Sequence, residues 1–255
     1  MARWLRRVLI RIHEFAAGGK VRLTAKADRE LVTLGLGLDP DDVRELLVSL
    51  TSADCAGRQV SRATGEWMYL FKSPVCGKLV YVKLILRSDA WLYLSTKTKK
   101  VDMKKASNHK LTRHRIGRVL PDDACPSCGT MMKQTRSRLR LPVNGEEIIV
   151  PSASHLKCSK CSEVVLRFLE AKRLHEDAIA IYRKKHGLLS ADQIRAIREQ
   201  FGLTQADLAR LLRLGANSVS RWESGRNVQT AAMDILLRLI RDLPGSIDYL
   251  RHHAA

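Results

Sequence analysis

Two Cys-x-x-Cys pairs constrain the fold of this chain more than any other feature of its sequence. They are CPSC at residues 125–128 and CSKC at residues 158–161, with 29 residues between them. Each pair lets two thiolates reach one tetrahedral ion, so the pairs together predict a metal site with four sulfur ligands, Cys125, Cys128, Cys158 and Cys161. Between the pairs, the alternating stretch RLRLPVNGEEIIV breaks at Asn144-Gly145. This dipeptide is a strong signal for a β-hairpin.

Cysteine pair, hairpin and cysteine pair in this order predict a zinc ribbon that holds one structural Zn²⁺ per chain. Four thiolates leave no coordination position open for water, so the metal is expected to fold this segment and to catalyse nothing. A pair of redox-active dithiols is the alternative. His155 lies close to the second pair in sequence, but the site has no need of a fifth ligand. We expect it to be an ordinary surface histidine.

The chain is strongly basic, with 45 Lys and Arg against 26 Asp and Glu and a formal net charge of +19. This balance favours a polyanionic partner such as nucleic acid. The sequence has no run of about 18 apolar residues that would cross a membrane. Its first apolar stretch is interrupted by Arg11, His13 and Glu14 before it reaches the length of a signal-peptide core. We therefore expect a cytoplasmic protein with reduced thiols.

Upstream of the cysteines, the apolar period changes from helical to strand-like. Residues 4–17 have helical spacing, and Asp39-Pro40 marks the start of a second helix. The stretches EWMYLFK, KLVYVKLIL and AWLYLS then alternate with a period of two. This order predicts an α+β domain that ends near Ser95. The run from Lys97 to Arg118 contains nine basic residues and one acidic residue, and it predicts a solvated basic linker.

Downstream of the cysteines, the sequence predicts helices at 163–185, 190–200, 204–212, 217–224 and 230–242. The third and fourth form a helix-turn-helix pattern, in which the start of the second helix enters the major groove of DNA. Val219 and Trp222 are expected to pack against the preceding helix. Asn suits adenine and Arg suits guanine, each through paired hydrogen bonds. The predicted DNA-binding residues are Asn217, Arg221, Ser218, Ser220, Thr204 and Gln205.

The stretches LTQADLARLL and VSRWESG closely resemble the Xre-type repressor motif. Zinc ribbon, connecting helices and this motif, in that order over residues 125–250, resemble the MqsA family of zinc-finger antitoxins from bacterial toxin–antitoxin pairs. The resemblance implies a C-terminal domain that dimerises, binds a palindromic operator and represses transcription through Asn217 and Arg221. It also implies that the zinc domain binds a toxin.

Residues 10–97 resemble the MqsR toxin family through the stretches AAGGKVRLT, LGLGLD, SADC, EWMYLFKSP and GKLVYVKL. That family consists of metal-free mRNA endonucleases with a RelE-like fold. The resemblance implies a catalytic hydrogen-bonding role for Tyr81 and a charge-stabilising role for Lys97. Lys83 shares a strand face with Tyr81 because side chains alternate with a period of two.

The chain departs from the toxin family at two positions. Met68 follows Trp67 where the family has Gln, and Gly57 stands where the family has a loop Lys. Arg58, next to Gly57, could replace the charge of that lysine but not its role in proton transfer, because an arginine stays protonated. The candidate catalytic set is therefore Tyr81, Lys83, Arg58 and Lys97.

Together these features predict a multidomain chain. The expected domains are a RelE-like α+β toxin domain at 1–96, a basic linker at 97–122, a β-rich zinc ribbon at 123–164, and a helical connector with an all-α Xre-type, lambda-repressor-like domain at 165–255. The predicted function is an antitoxin-type, sequence-specific DNA-binding autorepressor with structural zinc and a toxin-like domain in cis. The expected partners are double-stranded operator DNA, a toxin domain in cis or in trans, and a second copy bound through the C-terminal domain, with mRNA as a further candidate.

Other interpretations of the same sequence remain open. One is a self-inhibited, metal-independent endoribonuclease that its fused antitoxin holds inactive. Another is an inactive toxin relic that is kept for binding. A third takes the zinc ribbon as an RNA-binding or partner module unrelated to any toxin. Convergence of Arg58, Tyr81, Lys83 and Lys97 in the structure would favour the nuclease.

Overall fold

The computed structural model describes residues 2–33, 38–75, 78–87, 92–97 and 119–253. For Thr33 and residues 92–97 it describes the backbone alone. Residues 98–118, which make up most of the predicted linker, lie outside the described residues.

The described residues form helices and strands in three successive groups. The first group is α1 (Arg3–Ala17), β1 (Val21–Thr24), α2 (Ala25–Thr33), α3 (Pro40–Ser49), β2 (Cys55–Val60), β3 (Trp67–Val75), β4 (Lys78–Leu86) and β5 (Leu92–Lys97). The second is β6 (Met132–Val143), β7 (Glu146–Cys158), β8 (Val164–Arg167) and α4 (Phe168–Lys185). The third is α5 (Ala191–Gln200), α6 (Gln205–Leu211), α7 (Ser218–Glu223), α8 (Ala231–Asp242) and α9 (Ser246–His253). We call residues 2–97 the N-terminal part, residues 119–167 the cysteine hairpin, and α5–α9 the C-terminal helices.

Local sequence signals explain several of these boundaries. Asp39 caps α3 in a capping box with Asp42, and Pro40 is its first residue, as predicted. Asn144 and Gly145 have φ angles of 48° and 83°, which allow the tight turn between β6 and β7. The helix predicted at 163–185 is wrong at its start, because residues 164–167 form strand β8 and the helix begins at Phe168.

The eight described strands lie in one sheet with the order β2-β3-β4-β5-β1-β8-β7-β6. Among them, β1 and β5 pair in parallel, and the other neighbours are antiparallel. Strand β1 of the N-terminal part pairs with β8 of the cysteine hairpin, with Leu23 opposite Leu166. The sheet therefore runs without a break from the N-terminal part into the cysteine hairpin.

One hydrophobic core lies under this sheet and draws on both segments. Helix α1 contributes Ile12, β4 contributes Val82 and Leu84, and the cysteine hairpin contributes Leu141. Helix α4 packs into the same core through Phe168, Ala171, Leu174, Ala178 and Ile179. The N-terminal part and the cysteine hairpin thus bury apolar surface against each other, which is the main favourable term in such an association.

The C-terminal helices have a core of their own, built around Ile194, Leu208, Trp222 and Leu237. Arg183 near the end of α4 holds this unit to the rest, because its Nη2 donates to the carbonyl oxygens of Trp222 and Asn227 at 2.9 and 3.1 Å. Mixed α and β content in several parts agrees with the multidomain prediction. Within the described part of the chain, no helix is both long enough and apolar enough to cross a lipid bilayer.

Candidate functional site

The four predicted metal ligands converge at one end of the cysteine hairpin. Their sulfur atoms all lie within 4.8 Å of one another, with 3.4 Å between Cys125 and Cys161 and 3.5 Å between Cys128 and Cys158. Each pair sits on a tight turn, closed by the N–H of Gly129 donating to Cys125 O at 2.9 Å and by the N–H of Ser162 donating to Cys158 O at 3.1 Å.

This set of donors fits a thiophilic tetrahedral ion. Sulfur atoms around zinc stand about 3.8 Å apart, because the Zn–S bond is about 2.3 Å. Burial raises the pKa of Cys125, whereas hydrogen bonds with Thr130 lower the pKa of Cys128 to about 6. A divalent cation would favour the thiolate form of all four cysteines. The geometry is therefore compatible with a zinc site.

His155 takes no part in the cysteine cluster, as expected, but its predicted surface position is wrong. The side chain is fully buried. Its Nδ1 lies 2.9 Å from the carbonyl oxygen of Ala153 and its Nε2 lies 3.4 Å from Ser137 Oγ. His155 lies in β7 opposite Thr135 of β6, a position within the sheet that the sequence near the cysteines does not reveal.

The cysteine cluster packs against the N-terminal part. Cys125 and Cys158 belong to a small core with Ile85 of β4, and Met68 of β3 is packed against that core. Met68 and Ile85 are directly opposite each other in the sheet. They lie on the face opposite α1, because the α1 face of β4 carries Val82 and Leu84.

A buried arginine continues this contact beside the cluster. The side chain of Arg87 is 0% exposed and makes two hydrogen bonds to Glu66, at 2.8 and 3.0 Å. Its Nη1 donates to the carbonyl oxygens of Pro121, Asp122 and Ala124. The backbone that enters the first cysteine pair is thus held by a side chain of the N-terminal part.

The two helices predicted to bind DNA pack as expected. Val219 and Trp222 of α7 are buried in one core with Leu208 of α6, which confirms their predicted inward direction. Glu223 joins α7 to α5 and α6, since it accepts hydrogen bonds from Arg198 of α5 at 2.6 Å and from Gln205 of α6 at 2.8 Å. Burial opposes the charge on Glu223, but these bonds outweigh it and lower its pKa.

The predicted DNA-binding residues divide into two sets. Asn217, just before α7, is exposed, and Ser218 and Ser220 are partly exposed on the same short helix. The side chains of the other three are engaged within the protein. Thr204 caps α6, Gln205 donates to Glu223, and Arg221 donates to Asp42.

Arg221 belongs to an ion-pair cluster between α7 and the start of α3. Its Nη2 lies 2.5 Å from Asp42 Oδ1, and Arg226 donates to both oxygens of Asp39 at 2.6 and 2.8 Å. Burial opposes the charge on Asp39, but hydrogen bonds from Arg226 and the backbone of Asp42 outweigh it and lower its pKa. Burial and the neighbouring charge of Asp39 raise the pKa of Asp42.

Of the candidate catalytic residues, Tyr81 and Lys83 lie on the face of β4 opposite α1, which we call the outer face. Ile85 lies on the same face, two residues after Lys83. Lys72 of β3 is directly opposite Tyr81, with its Nζ 5.2 Å from the centroid of the ring. Lys97 of β5 is opposite Tyr81 on the other side by backbone register, while its side chain lies outside the described residues. Strands β2–β5 contain no Asp or Glu. The result is a phenol in a basic row, formed by Tyr81, Lys72 and Lys83 on one face of β3 and β4.

Arg58 does not join this row. It is opposite Tyr69, which is opposite Leu84 on the α1 face of the sheet. Its guanidinium carbon lies 4.6 Å from the ring centroid of Trp4 and 4.4 Å from that of Trp67. The structure therefore separates Arg58 from Tyr81 by the thickness of the sheet.

Sequence reasoning missed the side chains that make these contacts across segments. Lys72 could have been found, because the period of two in EWMYLFK places it on the face of Met68. Arg87 and Arg226 carry no such signal. Their partners lie 21 and 187 positions away, at Glu66 and Asp39.

Comparison with known protein families gives a match for the second half of the chain. Residues 123–251 match the family described as the antitoxin component of bacterial toxin–antitoxin systems, MqsA. A comparison with curated proteins gave no match. The family match spans the four cysteines, α4 and nearly all of the C-terminal helices, and it covers slightly more than half of the chain. The chain therefore belongs to the MqsA antitoxin family.

Proposed function

We propose that this chain is a zinc-stabilised antitoxin that represses transcription by binding operator DNA and that carries an MqsR-like toxin domain in cis. Membership of the MqsA family supports the antitoxin class. The pairing of β1 with β8 is the observation that carries the arrangement in cis, because it docks the N-terminal part on the cysteine hairpin. The proposed domains remain 1–96, 97–122, 123–164 and 165–255.

The packing of α6 and α7 supports a helix-turn-helix. Buried Val219 and Trp222 hold α7 on α6, and Asn217 stays exposed at the start of α7, where base edges are read. Arg221 lies one turn further along the same helix. Since Arg221 pairs with Asp42 here, reading a base with Arg221 requires that α7 and α3 separate.

The proposed zinc ligands are Cys125, Cys128, Cys158 and Cys161. The ion would supply structural stability, since four thiolates leave no position for a substrate or a reactive water. The chain's own contribution is to hold two tight turns at the end of one hairpin.

An apolar stripe on α8 supports a homodimer. Ile235 and Leu239 are four residues apart on α8 and are 59% and 44% exposed, and Leu243, the extended residue just after the helix, is 53% exposed. Residues at this spacing share one helix face. A second copy bound through this face would place two α7 helices on the half-sites of a palindrome.

The central test is sequence-specific DNA binding by the full chain. We would measure fluorescence anisotropy on the DNA upstream of its own gene and on a scrambled duplex at the same salt concentration. Asn217→Ala should weaken binding to the first DNA by about 5- to 150-fold, because a good base contact is worth about 1–3 kcal/mol. It should leave binding to the scrambled duplex unchanged. If the ratio of the affinities for the upstream DNA and the scrambled duplex is the same in Asn217→Ala as in the wild type, Asn217 does not read a base.

A ribonuclease is the second candidate function, and the Lys72–Tyr81 pair, on strands whose sequences contain no Asp or Glu, favours it. In such a reaction the ribose 2′-oxygen attacks phosphorus to form a 2′,3′-cyclic phosphate, the bond from phosphorus to the 5′-oxygen breaks, and the leaving 5′-oxygen takes up a proton in place of the one that the 2′-hydroxyl releases. Lysines would neutralise the extra charge on the phosphoryl oxygens, and the Tyr81 hydroxyl would donate a hydrogen bond. Arg58 is not part of this proposal, since it lies on the other face of the sheet.

This second candidate is tested in a buffer without divalent cations. A long unstructured RNA is incubated with the full chain and with a chain cut at a protease site placed within residues 98–118. Cleavage that is lost with Tyr81→Phe and with Lys72→Ala would support a self-inhibited nuclease. If neither preparation cleaves the RNA, the N-terminal part acts by binding alone.

A further inference from the structure

The cysteine cluster packs on a small apolar core to which both the cysteine hairpin and the N-terminal part contribute. Cys125, Cys158, Met132, Leu156 and Val165 of the cysteine hairpin form one buried group with Ile85 of the N-terminal part. Met68 and Cys128 pack at its edge. Three of the four candidate metal ligands therefore contact a core that the N-terminal part completes.

The backbone next to the cluster is held from the same side. Arg87 donates to the carbonyl oxygen of Ala124, the residue before Cys125. Arg22 of β1 donates to the carbonyl oxygen of Asp122 at 3.0 Å and to the carboxylate of Asp123 at 2.8 Å. Both arginines are almost fully buried, so these bonds form only when residues 121–124 are in place.

We propose that the four-cysteine site fastens the N-terminal part to the antitoxin, so that metal binding and the docking of β3 and β4 on the cysteine hairpin stabilise each other. Without the ion, the two cysteine turns lose the cross-link that holds them together. The apolar group around Ile85 and the backbone bonds of Arg87 then lose their partner surface. This inference rests on the proposed zinc site and gives it a regulatory role.

The docked surface adjoins the candidate RNA-binding row. Ile85, Lys83 and Tyr81 follow one another along the outer face of β4, at intervals of two residues. The cysteine hairpin covers this face at Ile85. Loss of the ion would therefore loosen the contact of the cysteine hairpin with Ile85, on the face that also carries Tyr81 and Lys72.

Thermodynamic linkage supplies the first test. If the ion strengthens docking by some factor, docking strengthens ion binding by the same factor. A variant whose docking is weakened enough to populate the undocked form of the metal-free chain must therefore bind the ion less tightly. We would measure the zinc affinity of the full chain by competition with a chromophoric chelator, in the wild type, Ile85→Ala and Met68→Ala. The matched control is Leu79→Ala, which lies on the same face of β4, is 52% exposed and is about 20 Å from Ile85 along the strand.

We expect Ile85→Ala to weaken zinc binding at least about fivefold, the low end of typical coupling between sites. Met68→Ala should have a smaller effect in the same direction, and Leu79→Ala should have none. Met68 is only partly buried, so Met68→Ala carries the test if Ile85→Ala does not fold. Zinc affinities within twofold of the wild type in both Met68→Ala and Ile85→Ala would overturn the proposal.

Hydrogen exchange gives a second readout that needs no variant. Removing the metal from the full chain should speed amide exchange in β3 and β4 while α5–α8 keep their protection, because the C-terminal helices have a separate core. Faster exchange confined to the cysteine turns would overturn the coupling and leave the zinc site intact. A purified chain that contains no zinc would overturn the zinc site itself. DNA binding enters neither readout.

Discussion

Replacing Asp42 with asparagine should increase the affinity of the full chain for operator DNA. Asp42 accepts a hydrogen bond from Arg221, a proposed base-reading residue, and it also lies 3.2 Å from Arg226. While these contacts persist, Arg221 is not available to DNA. The measured dissociation constant is then the intrinsic constant divided by the fraction of molecules in which α7 is released from α3.

The size of the effect follows from the contact that is weakened. A hydrogen bond to a charged group contributes about 1.5–3 kcal/mol. The Asp42→Asn side chain has only one acceptor oxygen, and when that oxygen keeps the bond from the backbone of Asp39, the NH2 group faces Arg221, so we expect the whole of this contribution to be lost. The released fraction should therefore rise about 10- to 150-fold, because 1.36 kcal/mol corresponds to a factor of ten. Asp42→Asn can still accept the hydrogen bond from the backbone N–H of Asp39, so the start of α3 should stay intact.

The assay is an anisotropy titration of operator DNA with the wild type, Asp42→Asn and Glu45→Gln. Glu45 lies on the same helix and is exposed, so Glu45→Gln removes the same charge away from the contact. It corrects for the general gain in DNA affinity of a more basic protein. The reasoning is refuted if the two variants bind operator DNA equally well, or if Asp42→Asn binds no tighter than the wild type.

Three further predictions concern stability and assembly. Arg87→Met should lower the free energy of unfolding by about 3–5 kcal/mol, because Glu66 would be left buried without its partner. Calorimetry should show that the double variant Arg87→Met/Glu66→Leu recovers part of this loss. A loss below about 1 kcal/mol in Arg87→Met would contradict the prediction. Burial opposes protonation of His175, but the charge and hydrogen bond of Asp28 outweigh it and raise its pKa. The stability that the Asp28–His175 pair contributes is complete below about pH 6.5 and is lost as pH rises through the pKa of His175 in the folded protein. The melting temperature of the wild type should therefore fall relative to that of His175→Gln as pH rises through this range. A difference between the two melting temperatures that does not change with pH would contradict this prediction. Leu239→Glu should convert the proposed dimer to a monomer in light scattering, and a retained dimer would exclude the α8 stripe as the interface.

Several features of the candidate sites could be predicted from the sequence because their signals are local. The spacing within each cysteine pair sets up a knuckle, and the two knuckles do converge. The capping boxes at Asp39 and Thr204 and the turn at Asn144-Gly145 act over three or four residues, and the structure forms all of them. The alternation along β4 placed Tyr81 and Lys83 on one face without knowledge of the partner strands.

The association of the segments was decided by the tertiary structure. Residues 164–167 continue a helical pattern in the sequence, yet they form β8 because the edges of β1 and β7 offer hydrogen bonds on both sides. Arg58 lies away from Tyr81 because the register of β2 on β3 sets its face, and register depends on pairing as well as on period.

The sequence by itself determined the candidate metal ligands, most helix boundaries and the antitoxin-like motif, since each depends on neighbours a few residues away. Only the tertiary structure decided that the N-terminal part and the cysteine hairpin share one sheet and one core, and that Asp42 holds Arg221. The two residues of that ion pair are 179 positions apart. No local pattern encodes such a contact, because its free energy exists only after the sheet and the helices have brought the two charges together.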